Sequence, residues 1–268
     1  MIDRKGPSVT ERRLLLSRRG LLIGSAASLV LGGCDRLYRA PTFQQFLSSA
    51  ERLTYGFQRL AVSRTVLAPE YSPKDIAKKF RPNGSQDSFN LPPDYPDHQH
   101  EKFARWKVDV GGLVMRPMAF SVADLRALPS RTQITRHDCV EGWSCIGQWT
   151  GTPLGNVLMQ TGLQPSARFI VFHCADEVLH YVDGEHAYYE SIDLIDAFHP
   201  QTILAYELNG APLPLANGAP LRLRVERQLG YKMAKFITRI EAVDRLDNIR
   251  GGKGGYWEDD GYEWYAGI

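Results

Sequence analysis

Cys139 is the residue in this chain with the widest choice of chemistry. A thiolate there could act as a nucleophile, ligate a soft metal, or serve as a small buried hydrophobe. It stands in His137-Asp138-Cys139-Val140-Glu141-Gly142-Trp143-Ser144-Cys145, so an imidazole and two carboxylates lie within two residues of it. His137, Asp138 and Glu141, with Tyr188 and Glu190 further along, are candidates for proton transfer. Cys145 could pair with Cys139 as a redox disulfide. The chain has four cysteines in all, Cys34, Cys139, Cys145 and Cys174, with no CxxC pair and no HExxH, which argues against a structural zinc site. His98 and His100 lack a third ligand at useful spacing and read as part of a solvated loop.

The elements around Cys139 must hold it in place. Thr132 to Arg136 alternate as a strand does, while Thr152-Pro153 supplies an N-cap and a proline suited to the first helical position. These signals predict that Cys139 lies in a strand-to-helix loop, a place where chemistry is often carried. Upstream, Thr42-x-x-Gln45 is a capping box, and Phe43, Phe46, Leu47, Ala50, Leu53, Phe57 and Leu60 recur at helical spacing, predicting a helix whose apolar stripe meets the core. Residues 64–100 read as an irregular wrapping segment. Trp106–Val110, Gly111-Gly112 and Leu113–Met115 read as a hairpin, and Ser121-x-x-Asp124 caps a short helix. A helix from Pro153 to Gly162, a strand over Phe169–Cys174, a helix IDLIDAF capped by Ser191, and strands TILAYEL, APLRLRV and FITRIEAV follow, with turns at Asn209-Gly210 and Asn217-Gly218. Strands and helices do not alternate regularly, so the fold class is α+β, with mixed sheets and short helices.

The 268 residues, 43% of them hydrophobic, suffice for a sizeable core. The net charge of +2 comes from the first 33 residues. Taking the six basic and two acidic residues ahead of Cys34 from the totals of 32 and 30 leaves 26 and 28, a net of −2. That balance offers no basic footprint for nucleic acid. Arg18-Arg19 and the apolar run from Gly20 to Gly33 resemble a twin-arginine export signal, and Leu31-Gly32-Gly33-Cys34 has the form of a lipoprotein processing site. The expected address is the periplasm, with membrane attachment through a lipidated Cys34. The expected organisation is a signal over 1–33, a helix and wrapping segment over 34–105, a core over 106–249, and an aromatic, acidic strap over 250–268.

Cys139-Val140-Glu141-Gly142-Trp143-Ser144, followed by Trp149-x-Gly151-x-Pro153-Leu154, resembles the cysteine loop of the molybdopterin-binding sulfite oxidase family. Within it, the likeness is to the branch containing the periplasmic protein-methionine-sulfoxide reductases. Asn217-Gly218-Ala219-Pro220-Leu221-Arg222 resembles the family's NGAP-x-R turn, and Gly230-Tyr231-Lys232-Met233-Ala234-Lys235 its G-[FY]-K-x-x-K segment. The likeness runs from about Trp106 to Val243.

It implies a sulfite-oxidase-type molybdopterin-binding fold with Mo-molybdopterin as cofactor. Cys139 would be the molybdenum ligand and catalytic centre. Asn83, Cys174, Asn217, Arg222, Lys232, Met233, Ala234 and Lys235 would be cofactor-binding, the arginine forking two hydrogen bonds to phosphate or pterin oxygens. The implied activity is oxygen-atom transfer on a small-molecule substrate, a sulfoxide in the branch named. Electrons would be exchanged with a separate haem-containing membrane subunit or cytochrome, since the chain has no CxxCH. Two alternatives are a sulfite-oxidising dehydrogenase and a non-catalytic envelope lipoprotein that keeps the fold. Cys174 stands where the sulfoxide reductases have threonine, and Lys232 where sulfite oxidases have arginine.

Overall fold

The computed structural model describes residues 40–61, 63–177 and 187–268. The export motif and Cys34 lie outside the described residues. Contacts divide the chain into two units, Met1–Phe57 and Gln58–Ile268. Helix α1, Pro41–Ala61, begins one residue before the expected cap, so Thr42 falls in its first turn and Pro41 opens it. Of its expected core stripe, Phe43 is half-buried, whereas Leu53, Phe57 and Leu60 are 75%, 71% and 88% accessible. Helical periodicity fixes which residues share a face but not whether anything covers it. No helix among the described residues is long and apolar enough to cross a membrane.

In the second unit, the wrapping segment contains more structure than its composition predicts, including two single-turn 3-10 helices and helix α2, Tyr95–His100. Tyr95 is buried, donates to the Ala219 carbonyl at 2.6 Å, and meets Trp106 and Phe236 edge to face.

The first of two five-stranded sheets contains β1 (Lys107–Gly112), β2 (Met118–Ser121), β5 (Phe169–Glu177), β6 (Ala187–Asp193) and β10 (Ile237–Val243), in the order β2-β1-β10-β5-β6. β1 and β10 are parallel and the other pairs antiparallel. The expected hairpin is corrected here. Gly111 and Gly112 continue β1, and its antiparallel partner is Met118–Ser121. A Cβ on Gly112 would lie 2.3 Å from the Ala242 carbonyl oxygen, so glycine serves the approach to β10 and not a turn. Helix α3, Val122–Ala127, has the expected capping box: the Asp124 amide donates to Ser121 Oγ at 3.1 Å, and Asp124 Oδ2 accepts from the Ser121 amide at 2.8 Å.

The second sheet is antiparallel, with β3 (Arg131–Cys139), β4 (Trp143–Pro153), β7 (Ile203–Leu208) and β8 (Ala211–Pro212) in that order and β9 (Arg222–Arg224) also paired to β7. Asn209 and Gly210 both take positive φ and close the β7–β8 turn as expected. Helix α4, Leu154–Thr161, ends at Gly162. The cap of helix α5, Leu194–Ala197, is Asp193, whose Oδ1 accepts from the Asp196 amide at 2.8 Å; Ser191 is instead buried in β6. The α+β class with mixed sheets and short helices holds.

Ile170, Phe172, Ile192 and Ile240 of the first sheet share one buried cluster with Val157 and Leu158 of α4 and Leu204 and Leu223 of the second sheet. Each contributes about 1.5–3 kcal/mol on burial. Phe80 of the wrapping segment joins a second cluster around Trp149, Ile203 and Leu208. In the last residues, termed the strap, helix α6 (Tyr256–Asp259) is followed by a bridge in which the Leu229 amide donates to the Ala266 carbonyl at 2.9 Å.

Candidate active site

β3 ends at Cys139, which pairs with Trp143 across a turn closed by Gly142 at positive φ. The cysteine therefore sits at the tip of a β-hairpin and not in a strand-to-helix loop. Residues 143–153 alternate in burial and pair with both β3 and β7, so the helix signalled by Thr152-Pro153 starts one full strand later. Thr152 does not cap it; its hydroxyl donates to the Leu125 carbonyl at 2.6 Å. Cys139 is 8% accessible and faces a cavity of about 400 Å³. Burial raises its thiol pKa, opposed by the backbone amides of Glu141 and Val140.

The walls come from five directions. Asn83, Gly84 and Ser85 of the wrapping segment form one, Asp176 near the end of β5 and Tyr188 on β6 another, and Gly230 and Tyr231 of a 3-10 turn (Gly230–Lys232) with Met233 and Lys235 a third. Val140 and Glu141 flank the cysteine, and Trp257 and Tyr262 of the strap complete the lining. Lys235 Nζ donates to the carbonyls of Asn83 at 2.6 Å and Ala216 at 3.1 Å, and to that of Ser85. Burial, then the charge of Arg222, lowers its pKa to about 7. Gly218, at φ 100°, makes room for it: a Cβ there would lie 2.7 Å from Lys235 Cβ. Arg222 is fully buried, donates to the carbonyls of Asn217 at 3.1 Å and Met233 at 3.4 Å, and lies 5.0 Å from the Trp149 ring centroid. Burial, then Arg224, lowers its pKa to about 9.

Two buried cations thus sit side by side with only carbonyls as hydrogen-bond partners, an arrangement that an anion would relieve. Four buried polar atoms nearby have no partner: Asn83 Oδ1, Asp176 Oδ1, Asn217 Nδ2 and Arg222 Nε. Donors, acceptors and cations grouped around a cavity that also holds a thiol fit a metal-bearing, anionic, heteroaromatic cofactor.

The expected site residues divide into three groups. Cys139, Asn83, Met233 and Lys235 line the cavity, as do Glu141 and Tyr188. Asn217, Arg222 and Ala234 are buried directly behind it, Ala234 accepting from the Leu223 amide at 2.8 Å. Lys232, Cys174, His137, Asp138 and Glu190 do not reach the lining. Lys232 Nζ is held by Glu190 and by Glu258. Cys174 is enclosed within β5, where burial, then Asp176, pushes its thiol pKa well up. His137 is fully buried with Nδ1 2.9 Å from an Arg224 nitrogen, and burial holds it neutral. Asp138 pairs outward with Arg136 and Ser144. Cys139, Cys145 and Cys174 are free thiols. Sequence reasoning missed Asp176, Ser85, Trp257 and Tyr262. A carboxylate two residues beyond Cys174, closing an apolar strand, was the available signal for Asp176.

Residues 94–248, more than half the chain, match the family described as oxidoreductase molybdopterin binding domain. The chain belongs to this molybdopterin-binding oxidoreductase family. Mo-molybdopterin is accordingly its cofactor, and the chain is an oxidoreductase. It is 37% identical over 256 residues to a protein of Azospira oryzae named putative protein-methionine-sulfoxide reductase subunit YedZ1, covering 96% of this chain and 87% of that one. A Xanthomonas axonopodis pv. citri protein, named protein-methionine-sulfoxide reductase catalytic subunit MsrP, is 37% identical over 151 residues, 54% of this chain and 47% of its own. The chain thus spans about half the length of that relative. A sulfane dehydrogenase SoxCD structure from Paracoccus pantotrophus aligns with a TM-score of 0.48 at 21% identity, covering 55% of this chain and 40% of that one.

Proposed function

We propose that this molybdopterin oxidoreductase removes the oxygen atom from a sulfoxide. The observation that carries the reading is the lining of the Cys139 cavity. Among the described residues it contains the carboxylates of Glu141 and Asp176 and the rings of Tyr188, Trp257 and Tyr262, and its one ammonium, Lys235, is the one assigned to the cofactor phosphate. Such a lining suits a neutral substrate carrying an apolar group. Sulfite is anionic and becomes sulfate, so its oxidation calls for cationic clamps facing the reacting oxygens. The relatives named as methionine-sulfoxide reductase subunits support the same reading.

The reaction consumes two electrons and two protons and yields a sulfide and water. Molybdenum supplies the oxygen-accepting, two-electron chemistry. The chain's own groups bind, orient and donate. Cys139 would ligate the metal, Arg222 and Lys235 would neutralise the cofactor phosphate, and Asn83 Oδ1 and Asn217 Nδ2 would meet pterin edges. Tyr188 keeps its proton, since burial and then Glu190 push its pKa well up, and its hydroxyl donates to the Tyr231 carbonyl. Asp176 is the better proton carrier at the cavity. Burial raises its pKa, Oδ2 accepts from Ser85 Oγ at 2.7 Å, and Oδ1 is unpartnered.

The same proposal places the protein in the periplasm, exported folded through Arg18-Arg19, attached at Cys34, and reduced by a separate haem-containing membrane subunit or cytochrome. Support for the address is the leader composition, and for the partner the word subunit in the relatives' names. The test is turnover of the cofactor-loaded protein with a reduced dye and methionine sulfoxide, beside sulfite with an oxidised dye. Sulfoxide-dependent dye oxidation is expected. Sulfite oxidation without any sulfoxide reduction would overturn the reading.

A further inference from the structure

Lys232 has a role that its place in the motif does not suggest. Its ammonium is fully buried between two fully buried carboxylates, Glu190 of β6 and Glu258 of α6, the latter at 2.5 Å. Two carboxylates on one ammonium would leave an unbalanced buried charge, a costly arrangement that one proton removes. Glu190 is the group that takes it: burial, then the adjacent Glu258, raises its pKa well above the carboxylate range. Its Oε1 already accepts from Lys232 and from the Ser191 amide at 2.7 Å, while Oε2 of each glutamate has no other partner. The titratable groups facing the triad are Tyr188 and Tyr189 of β6, Cys174 of β5, Tyr231 of the 3-10 turn, and Asp259, which accepts from Tyr189 Oη. Arg250 of the strap lies 4.7 Å from the Tyr189 ring centroid.

Glu258 is the link between this triad and the cavity. Trp257 precedes it and stacks on Tyr262 at 5.5 Å, the Tyr262 amide donating to the Trp257 carbonyl at 2.9 Å. Both rings line the cavity, and Tyr262 meets Tyr231 edge to face at 5.3 Å. We infer that Glu258 is a positioning residue for substrate: through Lys232 and Glu190 it fastens the strap so that Trp257 and Tyr262 wall the cavity and limit the width of the group beside the reacting sulfur. This deepens the sulfoxide reading and rests on substrate entering at Cys139. On this reading the wall favours a narrow dialkyl sulfoxide over a bulky aryl one.

The experiment uses cofactor-loaded full-length protein as wild type, Glu258→Ala, Trp257→Ala and Glu190→Gln. Molybdenum and pterin content, thermal unfolding from pH 5 to 9, and kcat and KM for a dialkyl and a diaryl sulfoxide are measured for each. Glu258→Ala should raise KM for the dialkyl sulfoxide about 10-fold, leave kcat and molybdenum content nearly unchanged, and lower KM for the diaryl one. Trp257→Ala, which leaves the triad intact, should give the same change in selectivity and serves if Glu258→Ala does not fold.

Glu190→Gln mimics the protonated acid, so it should keep the wild-type KM values. It should also flatten the pH dependence of unfolding. A carboxyl whose folded pKa is raised loses stability as pH climbs from the ordinary carboxylate range through the folded value. Unchanged selectivity in Glu258→Ala or Trp257→Ala at full cofactor content overturns the wall. An unchanged pH slope in Glu190→Gln overturns the neutral triad. Absence of sulfoxide turnover in every protein, wild type included, sinks the proposed reaction instead, and the unfolding slopes still decide the triad.

Discussion

Lys235 offers a test that needs no turnover. Its pKa is lowered to about 7 by burial and by Arg222, so between pH 7 and its ordinary value of 10.5 the unfolded chain binds more protons than the folded cofactor-free protein. Stability must rise with pH across that window. For one such group, the gain between pH 7 and 9 is about 2 kcal/mol, at roughly 1.4 kcal/mol per unit once the folded group is neutral. A bound phosphate would restore the charge and remove the gain, so cofactor release should quicken over the same interval. Urea unfolding of cofactor-free and loaded protein at pH 7, 8 and 9 measures this, with Lys235→Met as control. The difference matters more than the absolute slope, because Glu190 titrates in the opposite sense and Arg222, lowered to about 9, adds to the gain only near the top of the window. Equal slopes for cofactor-free wild type and Lys235→Met, or a loaded protein that keeps the wild-type apo slope, would refute the pairing of Lys235 with an anion.

Further outcomes follow from the same geometry. Cys139→Ser should keep much of the pterin, alter the Mo(V) resonance spectrum and abolish activity; an unchanged spectrum would rule out ligation by Cys139. Arg222→Ala loses a charge-assisted contact worth about 1.5–3 kcal/mol, so cofactor retention should fall about 10- to 150-fold while the spectrum of the occupied fraction stays the same. Asp196 accepts from Arg59 at 2.8 Å, Arg227 at 2.7 Å and Gln228 at 2.6 Å, so Asp196→Ala removes the carboxylate partner of the buried Arg227, while Arg59 keeps Asp193 at 2.7 Å, and should cost about 3 kcal/mol in urea unfolding. Although burial opposes it, these arginines hold the Asp196 pKa below its ordinary value. Its stabilisation is present above the ordinary aspartate value and lost as pH falls through the folded one, and Asp196→Asn should flatten that acid limb.

What was legible in the sequence were features set by neighbours along the chain. The Ser121 capping box, the Asn209-Gly210 turn and the apolar strand opening at Phe169 depend on residues a few positions apart, and each formed as read. Cys139 was found by type and motif, but its setting was misread because Thr152-Pro153 marks a helix start without saying what lies between. That interval became β4, held by pairing with β3 and with β7, which begins fifty residues beyond the end of β4. The stripe on α1 fails at Leu53, Phe57 and Leu60 for a similar reason, since spacing alone cannot tell a covered face from an open one.

The two lysines of the G-[FY]-K-x-x-K segment make the limit sharpest. Lys232 and Lys235 are three residues apart, share a charge and a motif, and were given the same task. Gly230–Lys232 forms a single 3-10 turn and the chain leaves it through a bend at Met233, and the two side chains end on different partners. Lys235 passes over Gly218 to the cavity, where its hydrogen-bond partners are carbonyls and a neighbouring cation lowers its pKa. Lys232 turns inward to Glu190 and Glu258, and after the burial penalty the two glutamates raise its pKa. The cation available to a phosphate is therefore the one without a carboxylate within hydrogen-bonding distance. What separates the two is Glu258, twenty-six residues downstream of Lys232 in a strap read as aromatic packing. A residue's role at this site is decided by what reaches it across the fold, and only the placement of the strap carries that information.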